Sequence, residues 1–210
     1  ILDCNNNQLT SFDVSANTAL TYLNCYTNQL PSLDVSANTA LTILYCHVNQ
    51  LTILDVSANT ALTELWCHVN QLTSLDLSQN TALTELHCWS NQLTSLDLRN
   101  GNNINIQTFN TTFNTSLSCI SVDDAIWSTA NWTVANGNID AQHFFSNNCN
   151  GINGCTDPIA TNYDATATVD DGSCTYSSVC PEDAPTGLFV DDIIHSRATI
   201  NWDNMNSSLC

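Results

Sequence analysis

The sequence predicts a mainly β solenoid of short coils, with a parallel sheet on the concave face, an extended or 3₁₀ convex side, and small disulfide-closed modules after it. Three observations support this fold class. Leucine, cysteine and asparagine recur every 21 residues through residues 1–98, as in a repeat architecture. Each period contains apolar residues at alternate positions, as in a half-buried strand. The period is too short for a strand, a full helix and two loops.

The repeated unit is LxxLxCxxNxLxxLDVSxNTA, where x varies between copies. Five copies of its cysteine lie 21 residues apart, from Cys4 to Cys88. The unit resembles the leucine-rich repeat family in its short bacterial form. That resemblance implies one strand around each cysteine and one stack of leucine layers inside the solenoid.

Alternation along the strand decides which way each cysteine faces. Cys67 shares its side with Leu62 and Leu65, whereas Trp66 and His68 point the opposite way. A single metal ion therefore cannot bind both Cys67 and His68. We expect buried, reduced thiols that behave as small hydrophobic side chains. Disulfides between coils are the alternative, since equivalent positions lie about 4.8 Å apart, but the parallel Cβ directions disfavour them.

Two polar columns are expected to be structural. Asn28, Asn49 and Asn70 should turn inward after the strands and satisfy the backbone groups of the turn. The aspartates of the DVS motif should cap turns on the convex side, and a cation-binding stripe is the alternative. These aspartates are Asp13, Asp34, Asp55, Asp76 and Asp97.

The outward strand positions vary between repeats and are rich in aromatic side chains. Such residues are the usual anchors of protein interfaces, and they also offer flat surfaces to sugar rings. We therefore predict a ligand-binding surface, called the aromatic face below. It consists of Tyr22, Tyr26, Tyr45, His47, Glu64, Trp66, His68, Glu85, His87 and Trp89. The alternative is that strand propensity and cross-strand pairing alone explain these residues.

Metal binding and catalysis receive less support from the strands. A metal site from His47 and His68, or from His68, Glu85 and His87, lacks evident supporting partners. No arrangement of serine, histidine and acid is recognisable, and nothing marks Glu64 or Glu85 as desolvated. We therefore expect no enzyme in this segment.

The charge of the chain restricts its partners. The chain has twenty acidic residues but only two arginines, Arg99 and Arg197, and no lysine. Its formal net charge is therefore -18. Nucleic acids and anionic membranes are therefore disfavoured. The sequence also contains no long apolar run, so we expect no membrane insertion.

After Leu98 the period breaks, and residues 99–149 are expected to close the solenoid. We align residues 106–111 with 93–98, and residues 117–122 with 83–88, which predicts a truncated coil and one more strand. Four aromatic residues would then cover the last apolar layer: Trp127, Trp132, Phe144 and Phe145. The segment resembles the C-terminal cap of secreted bacterial proteins with these repeats, which implies a Cys119–Cys149 disulfide.

Residues 150–177 include the stretch GCTDPIATNYDATATVDDGSCTY. It is similar to a Cys-flanked, Asp-rich motif of secreted bacterial proteins and to the calcium-binding repeats of thrombospondin. The resemblance implies a Cys155–Cys174 disulfide and bound calcium, which prefers hard oxygen ligands. The expected ligands are Asp157, Asn162, Asp164, Asp170 and Asp171. The alternative is a solvated acidic loop, because the spacing does not match an EF-hand.

Residues 178–210 resemble the first two strands of a fibronectin type III domain, with Trp202 as the core tryptophan of the second strand. The modular organisation favours a Cys180–Cys210 pairing. Six cysteines outside the repeats imply an oxidising, extracellular setting. Because the chain begins partway through a repeat, we expect a piece of a longer secreted protein.

Together the resemblances imply an extracellular or cell-surface module for adhesion or recognition, which binds a polysaccharide or a protein through the aromatic face. Two alternatives stay open. The solenoid could be a structural subunit of an extracellular fibre, assembled by end-to-end contacts at an open strand edge. The modules could also target an enzyme domain that lies outside this sequence.

Overall fold

The structure is a computed structural model that describes residues 1–149, 153–165, 167, 169–170, 172–176, 189–194 and 197–201. The chain divides into two compact units, Ile1–Asn150 and Gly151–Cys210. The first unit contains ten short strands, a 3₁₀ turn at Asn103–Asn105 and a helix, α1, at Ala125–Asn131. The strands are β1 (Leu2–Asp3), β2 (Tyr22–Asn24), β3 (Ile43–Tyr45), β4 (Glu64–Trp66), β5 (Ser74–Asp76), β6 (Glu85–His87), β7 (Ser95–Asp97), β8 (Thr108–Asn110), β9 (Cys119–Ser121) and β10 (Phe144–Ser146).

These strands form two parallel sheets. The six-stranded sheet has the order β1-β2-β3-β4-β6-β8 and is the one predicted for the concave face. The second sheet has four strands in the order β10-β9-β7-β5. The predicted extended side of the solenoid is therefore hydrogen-bonded into a sheet of its own over the later coils.

Leucines from both sheets form one continuous core. Leu65 of β4 and Leu86 of β6 are fully buried, and Leu75 of β5 and Leu96 of β7 are almost fully buried. Each such side chain contributes about 1.5–3 kcal/mol by leaving water. Cys46 and Cys67 lie in the same core, also with no exposed surface, and both are free thiols. All five repeat cysteines are free thiols, as predicted, and four of them are buried, whereas Cys4 in the first coil is partly exposed.

Asparagines connect the coils inside the solenoid. The Nδ2 atom of Asn70 donates to the carbonyl oxygens of Cys46 at 3.2 Å and Cys67 at 3.0 Å. Its Oδ1 atom accepts from the backbone N–H of Leu51 at 3.0 Å. The predicted asparagine ladder is therefore present, and it satisfies backbone groups that would otherwise be buried without partners.

A second asparagine ladder was not predicted. It lies in the SxNTA part of the repeat, where the Nδ2 atom of Asn59 donates to the carbonyl oxygens of Val35 at 3.0 Å and Asn38 at 2.9 Å. Asn80 makes the equivalent bonds to Val56 and Asn59. The constant asparagine of this motif could have predicted the second ladder, but no role was assigned to it from the sequence.

The aspartate column caps turns, as predicted. The Oδ1 atom of Asp34 accepts from the backbone N–H of Ser36 at 2.9 Å and from its hydroxyl at 2.7 Å. These hydrogen bonds lower the pKa of Asp34 below its ordinary value. Asp55 makes the same backbone contact with Ser57 at 2.9 Å.

One residue per coil adopts a left-handed backbone conformation three positions after the end of each strand of the six-stranded sheet. Such a conformation is unfavourable for residues with a branched Cβ. The positions are Asn6 (φ 52°), Thr27 (φ 52°), Val48 (φ 53°), Val69 (φ 53°), Ser90 (φ 54°) and Phe113 (φ 59°). This strain could not be predicted from the sequence, because only the first coil has an asparagine at this position.

The predicted alignment of the last coil was wrong. Phe109 pairs with Leu86 in the six-stranded sheet, and Ile120 pairs with Leu96 in the four-stranded sheet. Residues 106–111 therefore continue residues 83–88, and residues 117–122 continue 93–98, so the coil is complete. Both halves of the repeat share a Leu-x-x-Leu-x-apolar pattern, and the added 3₁₀ turn at Asn103–Asn105 shifts the spacing.

The residues after β9 pack on the last layer, with one exception to the prediction. The centroid of the Trp132 ring lies 4.3 Å from that of Phe109 and 5.7 Å from that of Phe145. The centroid distance from Trp127 to Trp132 is 5.4 Å. Phe144 instead lies beside Cys119 in register and is 37% exposed. Alternate residues of β10 face opposite ways, so Phe144 and Phe145 cannot both cover the core.

Disulfides are present at two of the three predicted pairs. Cys119–Cys149 has a Cα–Cα distance of 5.7 Å, and Cys155–Cys174 has one of 4.7 Å. The third predicted pair, Cys180 and Cys210, lies outside the described residues.

The described residues of the second unit form two pairs of strands. β11 (Asn153–Gly154) pairs in parallel with β12 (Val169–Asp170). β13 (Phe189–Ile194) and β14 (Arg197–Asn201) form an antiparallel hairpin. Trp202 lies outside the described residues, and the fibronectin type III assignment stays a prediction. In the described part of the chain, no helix has the length and apolar character needed to cross a membrane.

Candidate ligand-binding face

The six-stranded sheet presents the aromatic face. In β4 the central Leu65 is fully buried, whereas Glu64 and Trp66 on either side are partly exposed. Parallel register places Tyr45 beside Trp66, and Glu64 beside Glu85. The predicted arrangement, with thiols inward and rings outward, is therefore present.

Four rings form a continuous stack just beyond the ends of the strands; we call it the stacked row. Its centroid distances are 4.5 Å from Tyr26 to His47, 4.3 Å from His47 to His68 and 4.4 Å from His68 to Trp89. The corresponding interplanar angles are 12°, 18° and 14°. Each inner ring is therefore covered on both faces by its neighbours.

Stacking leaves the two inner histidines neutral. Burial lowers the pKa of His47 to about 4, and the nearby His87 adds to this effect. Burial, together with His47 and His87, likewise lowers the pKa of His68 to about 4. The Nδ1 atoms of both rings are buried without a hydrogen-bond partner. The stacked row is thus an uncharged surface at neutral pH, with ring edges as its accessible part.

A second row combines rings with carboxylates. The Tyr45 and Trp66 centroids lie 4.6 Å apart, and Trp66 contacts His87 edge-on at 5.0 Å. The Tyr45 hydroxyl donates to Glu64 Oε2 at 2.5 Å, and Trp66 Nε1 donates to Glu85 Oε1 at 2.9 Å. The same oxygen of Glu85 lies 3.2 Å from His87 Nε2. The rings therefore orient both carboxylates.

Asn24 lies next to Tyr45 in register and is only 5% exposed. Its Oδ1 atom is buried and has no hydrogen-bond partner. Asn38, Asn59 and Asn80 of the second asparagine ladder have the same unpaired Oδ1. Because all of these oxygens are buried, they do not mark a surface position for a ligand.

The geometry gives no support to a metal centre on this face. His47 and His68 are stacked ring on ring, so their nitrogens do not converge on one point. Within the described ranges, no three His, Cys, Asp or Glu side chains are grouped as metal ligands. The same holds for the described aspartates of the convex column.

The described calcium ligands are engaged inside their own loop. Asn162 Oδ1 accepts from the Thr175 backbone N–H at 2.7 Å. Asp157 Oδ1 accepts from the Ile159 N–H at 3.1 Å, and its Oδ2 accepts from the Tyr176 hydroxyl at 2.8 Å. Asp171 and the Asp170 side chain lie outside the described part of this loop. Calcium binding therefore stays a prediction.

Similar structures support the fold. One is the functional domain of InlJ from Listeria monocytogenes, which is described as including a cysteine ladder. The match has a TM-score of 0.51 and 36% sequence identity, and it covers 57% of this chain and 30% of that chain. This chain thus spans less than a third of its neighbour's length. No family model and no curated protein matches. The fold is a leucine-rich repeat solenoid.

Proposed function

We propose that this chain is a non-enzymatic recognition or adhesion module of an extracellular or cell-surface protein, and that it binds its partner through the aromatic face. The observation that supports this most strongly is the stacked row from Tyr26 to Trp89, with neighbouring rings 4.3–4.5 Å apart. A rigid aromatic surface binds with little loss of side-chain entropy. The similarity to the InlJ domain agrees with this class of function.

The orientation of the rings favours a protein over a polysaccharide as the partner. A sugar ring stacks on an accessible aromatic face, yet His47 and His68 each have both faces covered by neighbouring rings. Ring edges and oriented carboxylates instead suit the mixed side chains and backbone of a protein surface. The polysaccharide prediction is tested alongside, because the outer faces of the end rings Tyr26 and Trp89 are not part of the stack.

A peptide selection with matched variants tests this function. A phage-displayed random peptide library is selected against the immobilised full chain, and enriched peptides are measured against Trp66→Ala/Trp89→Ala. Phe144→Ala, which removes a partly exposed ring from the other sheet, is the control. We expect the double variant to lose about tenfold or more in affinity and the control to lose none.

Equal peptide binding by the double variant and the wild type, with intact melting curves, would contradict this function. A glycan array is run with the same three proteins. Glycan binding that only the double variant loses would assign the aromatic face to a polysaccharide instead.

A second candidate, end-to-end assembly into fibres, rests on the open edge of the sheet. β1 is an end strand of the six-stranded sheet, and Leu2, Leu9 and Phe12 beside it are only partly buried. Unpaired strand edges promote association. Light scattering over a range of concentrations tests this candidate, which predicts growth that Leu2→Glu abolishes. A monomer at every concentration would reject it.

We also propose that the loop between Cys155 and Cys174 binds calcium, with Asp157, Asn162, Asp164, Asp170 and Asp171 as ligands. Support comes from the resemblance of the motif and from the oxygen-rich composition of the loop. Calorimetric titration of the chelator-treated chain with calcium tests this, with Asp164→Asn as the variant. The absence of a binding isotherm would reject it.

A further inference from the structure

The aromatic face places two carboxylates side by side, with no lysine or arginine of the described chain beside them. Glu64 and Glu85 lie side by side in register on neighbouring strands. The chain has no lysine, and Arg99, the one arginine whose side chain is described, is bound to Asp97 at 2.5 Å. Each carboxylate accepts from a neutral ring donor, Tyr45 or Trp66, and Glu85 also lies 3.2 Å from His87 Nε2.

The register of the strands places the two carboxylates about 4.8 Å apart along the sheet, and Tyr45 and Trp66 hold them in orientation. Two like charges at this separation repel each other until a cation lies between them. The pair therefore offers several acceptor positions to one cationic group with several donors.

We infer that the aromatic face binds an arginine-bearing segment of a partner protein, with a guanidinium at Glu64 and Glu85. A guanidinium has five N–H donors in a planar fork and pairs with carboxylates in a bidentate way. It also packs well among aromatic rings. Lysine, with its compact and strongly hydrated ammonium, matches this row less well. The inference rests on the proposed function and names the partner chemistry of the same face.

Defined peptides test this inference. Hexa-arginine and hexa-lysine are titrated into the full chain at about 0.15 M salt, where long-range attraction to the acidic chain is screened. The variant is Glu64→Gln/Glu85→Gln, in which glutamine still accepts from Tyr45 and Trp66. The control is Asp34→Asn/Asp55→Asn, which removes the same charge and keeps acceptors for the Ser36 and Ser57 N–H groups.

We expect hexa-arginine to bind more tightly than hexa-lysine, and the glutamine variant to weaken its binding about tenfold or more. The control should change the affinity about twofold at most, as expected for a screened surface charge. Equal losses in the two variants, or equal affinities for the two peptides, would overturn the inference. If library peptides still require Trp66 and Trp89, that outcome leaves the proposed function intact.

Discussion

His47 and His68 lie on neighbouring coils with their ring centroids 4.3 Å apart and their planes inclined by 18°. Burial holds the pKa of each ring at about 4 in the folded chain, compared with 6.5 for an ordinary histidine. The unfolded chain therefore binds more protons at mildly acidic pH. By linkage, the free energy of unfolding must decrease as the pH falls below about 6.5.

We predict that the folded chain loses about 1 kcal/mol per stacked histidine between about pH 7 and about pH 4.5, after allowance for solvent screening. Urea midpoints at the two pH values measure this loss. His47→Gln/His68→Gln should flatten the dependence. The scan stops above the ordinary carboxyl range, because Asp34 and its equivalents contribute stability that is lost only at lower pH. Equal pH slopes in variant and wild type would contradict the assignment.

The asparagine ladder should contribute strongly to stability. Asn70→Ala removes the donor to Cys46 and Cys67 and the acceptor for the Leu51 N–H. Each buried group left unpaired costs about 1–3 kcal/mol, so we expect a loss of about 3 kcal/mol in urea unfolding. Asn7→Ala is the matched control, since the Asn7 amide donates only within its own exposed turn. It should cost below about 1 kcal/mol.

The repeat thiols should resist alkylation in the folded chain. Burial raises the pKa of Cys25 and Cys88 to about 12, and it raises the pKa of Cys46 and Cys67 well above the ordinary value. The thiolate is the reactive form. Iodoacetamide labelling followed by peptide mapping should modify these four only after unfolding. Rapid labelling of Cys67 in the native state would contradict a buried thiol.

The left-handed backbone conformation of Val48 suggests a substitution that should stabilise the fold. Val48 adopts φ 53° and is 38% exposed, and a branched residue in this conformation costs about 1–2 kcal/mol. Asparagine tolerates it, and Asn6 occupies the equivalent position in the first coil. Val48→Asn should therefore raise the unfolding free energy by about 1 kcal/mol. Val48→Thr keeps the branched Cβ, as at the equivalent Thr27, and should not. A destabilised Val48→Asn would show that the strain is absent.

The period of 21 residues was sufficient to predict the solenoid, because every coil repeats the same inward leucines and cysteines. It also placed Trp66 outward and Cys67 inward, since alternation along a strand leaves no other choice. The last coil was misaligned because its two halves have the same apolar pattern, and only hydrogen bonding between β6 and β8 distinguishes them.

The detailed geometry of the aromatic face was beyond prediction. Sequence placed Tyr26, His47 and His68 in one column, but ring orientation depends on side-chain packing between coils. The mutual covering of ring faces and the unpaired oxygen of Asn24 follow from that packing. Of the two predicted partners, a polysaccharide or a protein, the covering of the ring faces favours the protein.

Amide chemical shifts of the isotope-labelled chain, recorded during titration with a library-selected peptide, test the central claim most directly. The account predicts that the largest changes cluster at Tyr45, Trp66 and His68, while Phe144 on the other sheet is unaffected. Changes centred on the four-stranded sheet or on α1, with the six-stranded sheet silent, would contradict it.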